Sequence, residues 1–212
     1  MELFIGNKKY SSWSFRPWIA LRMKKINFHE NLWPFDMASG NRHFEEFSPT
    51  GKVPCLVDDG IKVWESLAIL EYLHDKFPDH RFWPNDIQQR ATARAISNEM
   101  HGGFLDLRAE CPMNMSRRVE ALPVSPGARK DVERIVEIWD QCLNNSGGPF
   151  LFGEFTNADA MFAPVINRFD IYRLSDADIV SRYSNAITST APWHEWEEAG
   201  RTEAWIVEED EA

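Results

Sequence analysis

Ser48 to Phe77 reads SPTGKVPCLVDDGIKVWESLAILEYLHDKF. A polar opening gives way after Val53-Pro54 to an apolar run, Cys55-Leu56-Val57, and Asp59-Gly60 separates that run from Ile61-Lys62-Val63-Trp64. An Asp-Gly pair between two apolar runs is a hairpin signal, because both residues tolerate the positive φ of a tight turn. Leu67, Leu70, Leu73 and Phe77 then recur at helical spacing. The stretch reads loop, strand, tight turn, strand, helix. Proline cannot donate a ladder hydrogen bond, so Val53-Pro54 belongs just ahead of the strand. A cis peptide there would be a deliberate feature, turning the Val53 N–H and C=O away from the sheet.

Upstream, LFIG (Leu3 to Gly6) reads as a short buried strand, and Phe15 to Lys25 as a helix with Trp18, Ile19 and Leu21 among its apolar positions. FHENLWPF is a second strand, followed by a short helix around Arg42 to Phe47. Strand, helix, strand, helix, hairpin, helix makes a small α/β unit with a mixed sheet. The stretch FPDHRFWPND reads as a linker, and beyond it the strand signals stop. Gln88 to Glu110 is helix-forming. Val132, Ile135, Val136, Trp139, Cys142 and Leu143 trace one helical face ending at Asn144 to Gly148, another helix begins near Thr156, and one or two more reach Trp205. The division is residues 1-77, a linker at 78-86, and an all-helical part at 87-212, with EEDEA as a solvated acidic tail.

The formal net charge of −10 argues against nucleic-acid backbones and anionic membrane surfaces as partners. No apolar run approaches ~18 residues, and the lysines of MELFIGNKKY lie on the wrong side for a signal peptide. The expectation is a soluble, cytoplasmic protein. The three cysteines, Cys55, Cys111 and Cys142, are far apart and suit a reducing compartment, and the six histidines lack zinc-site spacing, so no metal is expected.

Chemistry concentrates at KKYSSWSFRPW, Lys8 to Trp18, where Ser11, Ser12 and Ser14 surround the strand-to-helix junction. Backbone N–H groups and the positive end of the helix dipole converge there, so nearby hydroxyls can help hold an anion. Plain capping, with Ser14 as N-cap and Pro17 in the first turn, explains one serine without any ligand. Glu65-Ser66 opens the third helix: its hydroxyl and free N–H groups suit a carboxylate, and Glu65 suits an ammonium. A ligand with an amino-acid head at Glu65-Ser66, a peptide bond against Val53 and a thiol near SSWS would satisfy all these features. Glutathione has that form.

The same stretches carry a family resemblance. Ser48 to Phe77 together with YSSWSFRPWIALRMKKI resembles the thioredoxin-like N-terminal domain of a cytosolic glutathione S-transferase. FLFGEFTNADAMFAPVINRF is similar to the N-capping box and core helix of that superfamily's helical C-terminal domain. The resemblance implies an α/β thioredoxin-like N-terminal domain plus an all-α C-terminal domain, glutathione as cosubstrate, a homodimer, and a detoxifying attack on a small hydrophobic electrophile. It implies that Ser11 or Ser12 is the thiol-activating hydroxyl, with Ser11 favoured by the alignment. Lys52 and Val53 would hold the middle of the tripeptide, Pro54 would be cis, and Glu65 and Ser66 would hold the γ-glutamyl group. A hydroxyl donor with helix-start amides lowers a thiol pKa from roughly 8.5. A shift of ~2 units corresponds to about 2.7 kcal/mol. Tyr10 is a rival, since other superfamily members use a tyrosine hydroxyl near the end of the first strand.

SSWSFRPWIAL is similar to the serine-type zeta pattern, which has cysteine where this chain has Trp13, and also to a broad group of bacterial transferase-like proteins. A zeta-like maleylacetoacetate isomerase would need a cation for a dicarboxylate, with Arg108 and Arg168 as candidates. A non-enzymatic glutathione-binding scaffold is a further alternative. A thiol–disulfide oxidoreductase would need a cysteine where the serines stand, and Cys55, among apolar neighbours, reads as a packed thiol. For the electrophile pocket the candidates are Trp13, Trp33, His101, Phe104, Arg108, Arg168 and Tyr172, each with ordinary packing as its alternative. Thr156 and Asp159 read as a structural capping box.

Overall fold

A computed structural model describes residues 1–211. Its first part follows the expected order: β1 (Glu2–Ile5), α1 (Ser12–Met23), β2 (His29–Leu32), β3 (Cys55–Asp58), β4 (Ile61–Trp64) and α2 (Ser66–Lys76). The sheet order is β2-β1-β3-β4, with β1 parallel to β2 and antiparallel to β3, and β3 antiparallel to β4. Asp59 (φ 47°) and Gly60 (φ 85°) make the tight turn of the hairpin, both in the left-handed region. Val53–Pro54 is cis.

Alternation along the strands sorts two cores. Leu3, Ile5 and Leu56 face the helices in the main core, whereas Phe4, Cys55 and Val57 face a smaller cluster with Phe44, Phe47 and Trp33. The segment expected as a short helix around Arg42 to Phe47 is a 3-10 turn, Arg42–Glu46, and it supplies Phe44 to that cluster. The α1 helix buries Phe15, Arg16, Trp18, Ile19 and Leu21 all round its circumference, because it packs against the sheet, a long core helix and the last helix at once.

The remainder is helical: α3 (Ile87–Gly102), α4 (Leu105–Glu110), α5 (Pro126–Ser146), α6 (Asn157–Ile171), α7 (Asp178–Thr188) and α8 (Ala191–Thr202). The helix-forming run from Gln88 to Glu110 folds as two helices. A Cβ at Gly103 would lie 2.7 Å from the Glu99 carbonyl oxygen, and Phe104 follows at φ 56°, so the chain turns sharply there. The α5 helix begins at a Ser125 cap, whose Oγ accepts from the Ala128 N–H at 3.1 Å, and ends at Gly147 with φ 79°. The stretch between α2 and α3 is packed rather than loose: Phe82 and Trp83 are buried, and the Phe82 carbonyl accepts from the Asn157 N–H at 2.7 Å. Among the described residues no helix is long and apolar enough to cross a membrane.

Of EEDEA, read as solvated, Glu208, Glu209 and Glu211 are exposed and Ala212 lies outside the described residues, but Glu211 is also tied back to the fold. Glu211 accepts from the Tyr10 hydroxyl, from Lys9 Nζ at 3.0 Å and from Asn114 Nδ2 at 3.2 Å. Its charge is matched by partners far away in sequence, which composition alone does not reveal.

Asp159 ties the helices together. The Thr156–Asp159 capping box is formed, and the Asp159 carboxylate also accepts from the Leu151 N–H and the Tyr183 hydroxyl, each at 3.0 Å. Complete burial outweighs these four donors and pushes the carboxyl up to about 6. Asp159→Ala is expected to lower stability by about 2–4 kcal/mol at neutral pH, through loss of the cap and stranding of buried donors. Because the folded value lies above the ordinary 3.8, wild-type stability should fall as pH rises from there to about 6. Denaturant unfolding across that range checks both, and the variant should lack the slope.

Candidate functional site

The turn between β1 and α1 is the origin of the site. Its backbone is held from several directions: the Ser11 N–H donates to the Asn7 carbonyl at 2.8 Å, and the Met115 N–H to the Lys9 carbonyl at 3.0 Å. Glu203, just beyond α8, takes the Lys8 and Lys9 N–H groups on its two carboxylate oxygens at 2.8 and 3.0 Å. Gly200 lets α8 approach closely, since a Cβ there would lie 3.1 Å from the Lys8 carbonyl. Lys8 Nζ pairs with Glu30 at 2.7 Å and lies 5.1 Å from the centre of the Trp18 ring.

This frame sorts the three serines. Ser11, rather than Ser14, is the N-cap: its Oγ accepts from the Ser14 N–H at 3.4 Å and donates to Ser14 Oγ at 2.8 Å. Ser14 in turn accepts from the Gly6 N–H at 3.1 Å. Ser12 opens the helix and receives Arg168 Nη2 at 3.5 Å, and its own hydroxyl proton has no acceptor among the described residues. Ser11 and Ser12 line a cavity of about 510 Å³. Tyr10 also borders it, but its hydroxyl proton is directed to Glu211.

A second cavity of about 280 Å³ adjoins the first through Trp13, Lys52, Val53 and Arg108, which line both. It extends to Pro54, Glu65 and Ser66, so the expected tripeptide-binding positions lie along one groove that ends at the serines. Glu65 has φ 67° and ψ 126°, a rare conformation for a residue with a side chain, which costs of order 1–3 kcal/mol and marks a constrained position. Behind it, Ser66 Oγ is buried with no hydrogen-bond partner among the described residues, and the first amides of α2 have no intrahelical acceptor. An orphaned donor at a helix start suits a carboxylate.

The cavity wall is cationic, carrying Lys52, Arg108 and Arg168, and Arg16 lies buried near it without lining it. The guanidinium carbons of Arg16 and Arg108 lie 4.2 and 4.4 Å from the Trp13 ring centre, so the indole rather than a carboxylate supports both charges. Arg16 is buried, donates through Nε to the Met161 carbonyl at 3.1 Å, and leaves Nη1 without a partner among the described residues. Arg168 donates to the carbonyls of Arg108, at 3.3 Å, and Cys111. Burial, with the neighbouring guanidinium groups, lowers Arg16 well below its ordinary value and Arg168 to about 10. Sequence reading missed Arg16, although its spacing of three from Trp13 in a helix was a usable signal.

Four of the expected pocket residues lie elsewhere. Trp33 stacks on His43 at 5.7 Å and packs against Phe47 in the smaller core, on the far side of the sheet from the helices. Phe104 is buried at the α3–α4 break and Tyr172 is fully buried, its hydroxyl donating to the Pro112 carbonyl at 3.0 Å. His101 lies behind the groove, against the edge of Trp13 with ring centres 5.2 Å apart, and its Nε2 is 3.7 Å from Glu65. Cys55 is packed: its thiol donates to the Phe47 carbonyl at 3.6 Å and burial raises its pKa. No group of three or more His, Cys, Asp or Glu side chains among the described residues is placed to hold a metal ion.

Residues 10–76 match the family of the glutathione S-transferase N-terminal domain and residues 91–188 that of the C-terminal domain. A maleylacetoacetate isomerase of Rattus norvegicus is 31% identical over 185 residues, 84% of this chain and 83% of the relative. A zeta-class glutathione S-transferase of Euphorbia esula is 29% identical over 170 residues, 76% of this chain and 75% of the relative. A Burkholderia glutathione transferase homologue, solved with bound glutathione, superposes with a TM-score of 0.73 at 23% identity, covering 94% of this chain and 97% of that one.

His101 offers a direct check on the charge distribution. Burial, then the charges of Arg16 and Arg108, lower its pKa, while Glu65 opposes them. By NMR its imidazole should titrate below 6.5, and Glu65→Gln should move it lower still. Titration at or above that value would contradict the arrangement.

Proposed function

From the chain's membership of the glutathione S-transferase family, we propose that it is a glutathione-dependent enzyme that activates the glutathione thiol for attack on a small electrophile. The observation that carries this reading is the continuous groove from Glu65 and Ser66, past Lys52 and Val53, to Ser11 and Ser12. The γ-glutamyl carboxylate would meet Ser66 and the first amides of α2, and its ammonium would meet Glu65. The thiolate would lie at the start of α1, accepting from hydroxyl and backbone donors that favour the anion. Ser12 is the better placed donor, because Ser11 gives its proton to Ser14 while Arg168 polarises Ser12 from behind.

The electrophile would enter the larger cavity, whose walls combine Phe35, Phe44 and Met113 with Arg108 and Arg168. Those cations favour an electrophile that bears a carboxylate alongside its apolar part. This supports a second reading, the cis–trans isomerisation of a maleyl-type acid, in which the thiolate adds to the double bond and is expelled after rotation about the resulting single bond. The relatives named maleylacetoacetate isomerase are consistent with it. Pairing with a second copy is also proposed: the edge strand β4 exposes Ile61 (53%) and Trp64 (40%), apolar surface that a partner would cover. Sedimentation would then give a dimer, and a monomer would refute the pairing.

Ultraviolet titration of bound glutathione tests the central step. The thiol should ionise ~1–2 units below its free value. Ser12→Ala should return most of that shift, Ser11→Ala less of it with about 1 kcal/mol of stability lost through the cap, and Tyr10→Phe little. An unshifted thiol in the wild type would exclude the enzymatic reading in favour of a glutathione-binding scaffold. Turnover of maleylacetone by the wild type, abolished in Ser12→Ala, would establish the isomerase.

A further inference from the structure

The C-terminal segment reaches back to the cavity. Asp210 lines it together with Ser11, Ser12 and Arg168, and among the described residues Asp210 is the one carboxylate in a lining that otherwise carries Lys52, Arg108 and Arg168. Two fixings hold the segment. At its start, Glu203 is bonded to the Lys8 and Lys9 amides. At its end, Val207 is buried, and Glu211 is bonded to Tyr10, Lys9 and Asn114, whose Nδ2 also donates to the Asp210 carbonyl at 3.2 Å. Between the fixings Trp205 and Ile206 are 46% and 64% exposed. Release of the Glu211 contacts would therefore loosen Asp210, leaving it the Asn114 bond and the buried Val207, while Glu203 still held the turn.

We infer that residues Glu203–Glu211 form a built-in competitor for the anionic end of the electrophile, with Asp210 presenting its carboxylate to the Arg168 side of the cavity and Glu211 latching it there. The inference rests on the proposed electrophile site but not on the position of the thiol. Burial raises the Asp210 pKa while the Arg168 charge opposes that rise, as expected of a carboxylate drawn into a partly enclosed cationic cavity. A small carboxylate ligand would have to displace or repel this group to reach the same cation, so Asp210 selects for ligands that bind strongly enough to overcome it. An uncharged ligand of the same size would not compete for the cation in this way.

Isothermal titration with malonate, with dimethyl malonate as its uncharged counterpart, tests this in the wild type, in Asp210→Asn and in Glu211→Ala. Malonate should bind each variant about tenfold or more tighter than the wild type, with the ester changed much less. The conservative Asp210→Asn preserves the fold if Glu211→Ala loosens it. Unchanged, weaker or undetectable malonate binding in Asp210→Asn would overturn the inference, as would an equal gain for the ester, which would indicate a steric plug. Glutathione titrated into the same samples separates the two claims: its failure to bind the wild type would refute the transferase reading, while the malonate comparison still decides the role of the strap.

Discussion

The site depends on a requirement at the turn between β1 and α1: its hydroxyls must face an open cavity while its backbone stays rigid and satisfied. A turn at the edge of a cavity loses part of its hydration, and each unpaired amide would cost about 1–3 kcal/mol. Glu203 meets this requirement with two charge-assisted bonds to the Lys8 and Lys9 amides, from 195 and 194 residues away. Met115 supplies a third anchor, and Gly200 permits the approach of α8. The helical half is thus part of this turn's construction as well as a wall of the pocket.

The same packing explains the electrostatics. Because α1 is packed on most sides, Arg16 is buried with no carboxylate beside it, and Trp13 accommodates its charge together with that of Arg108. Guanidinium groups tolerate such surroundings better than ammonium groups, since their charge is delocalised and stacks on aromatic faces. The result is positive potential at the helix start, where the proposed thiolate would lie, built from guanidinium charges that repel one another. A tail carboxylate in that cavity offsets part of the repulsion, so holding the tail and admitting an anionic ligand draw on the same field.

Much of the α/β half was legible locally. The Asp59-Gly60 turn, the alternation of Leu3 and Ile5 with Phe4, and the helical spacing of Leu70 and Leu73 are short-range patterns that survive into the folded chain. The groove from Glu65 to Ser12 was legible as well, because each element contributes a short motif at its own end. The side proposed for the electrophile was less so. Trp33 and Phe104 had suitable chemistry, but packing in the smaller core just past β2 took one and a helix break buried the other. Arg16 was hidden in a helix whose burial on most sides removes the amphipathic contrast on which periodicity relies.

The sequence by itself determined the order of elements, the two-part architecture and the residues proposed for the glutathione groove, since these follow from backbone preferences and side-chain period over a few residues. Tertiary structure decided which serine keeps a free proton, which arginines reach the cavity and that the acidic tail returns to it. Those outcomes depend on pairings such as Arg168 with Ser12 and Glu211 with Tyr10, separated by 156 and 201 residues. Hydrogen bonds and charges act over ångströms of space, so only the packing of distant segments could bring them into effect.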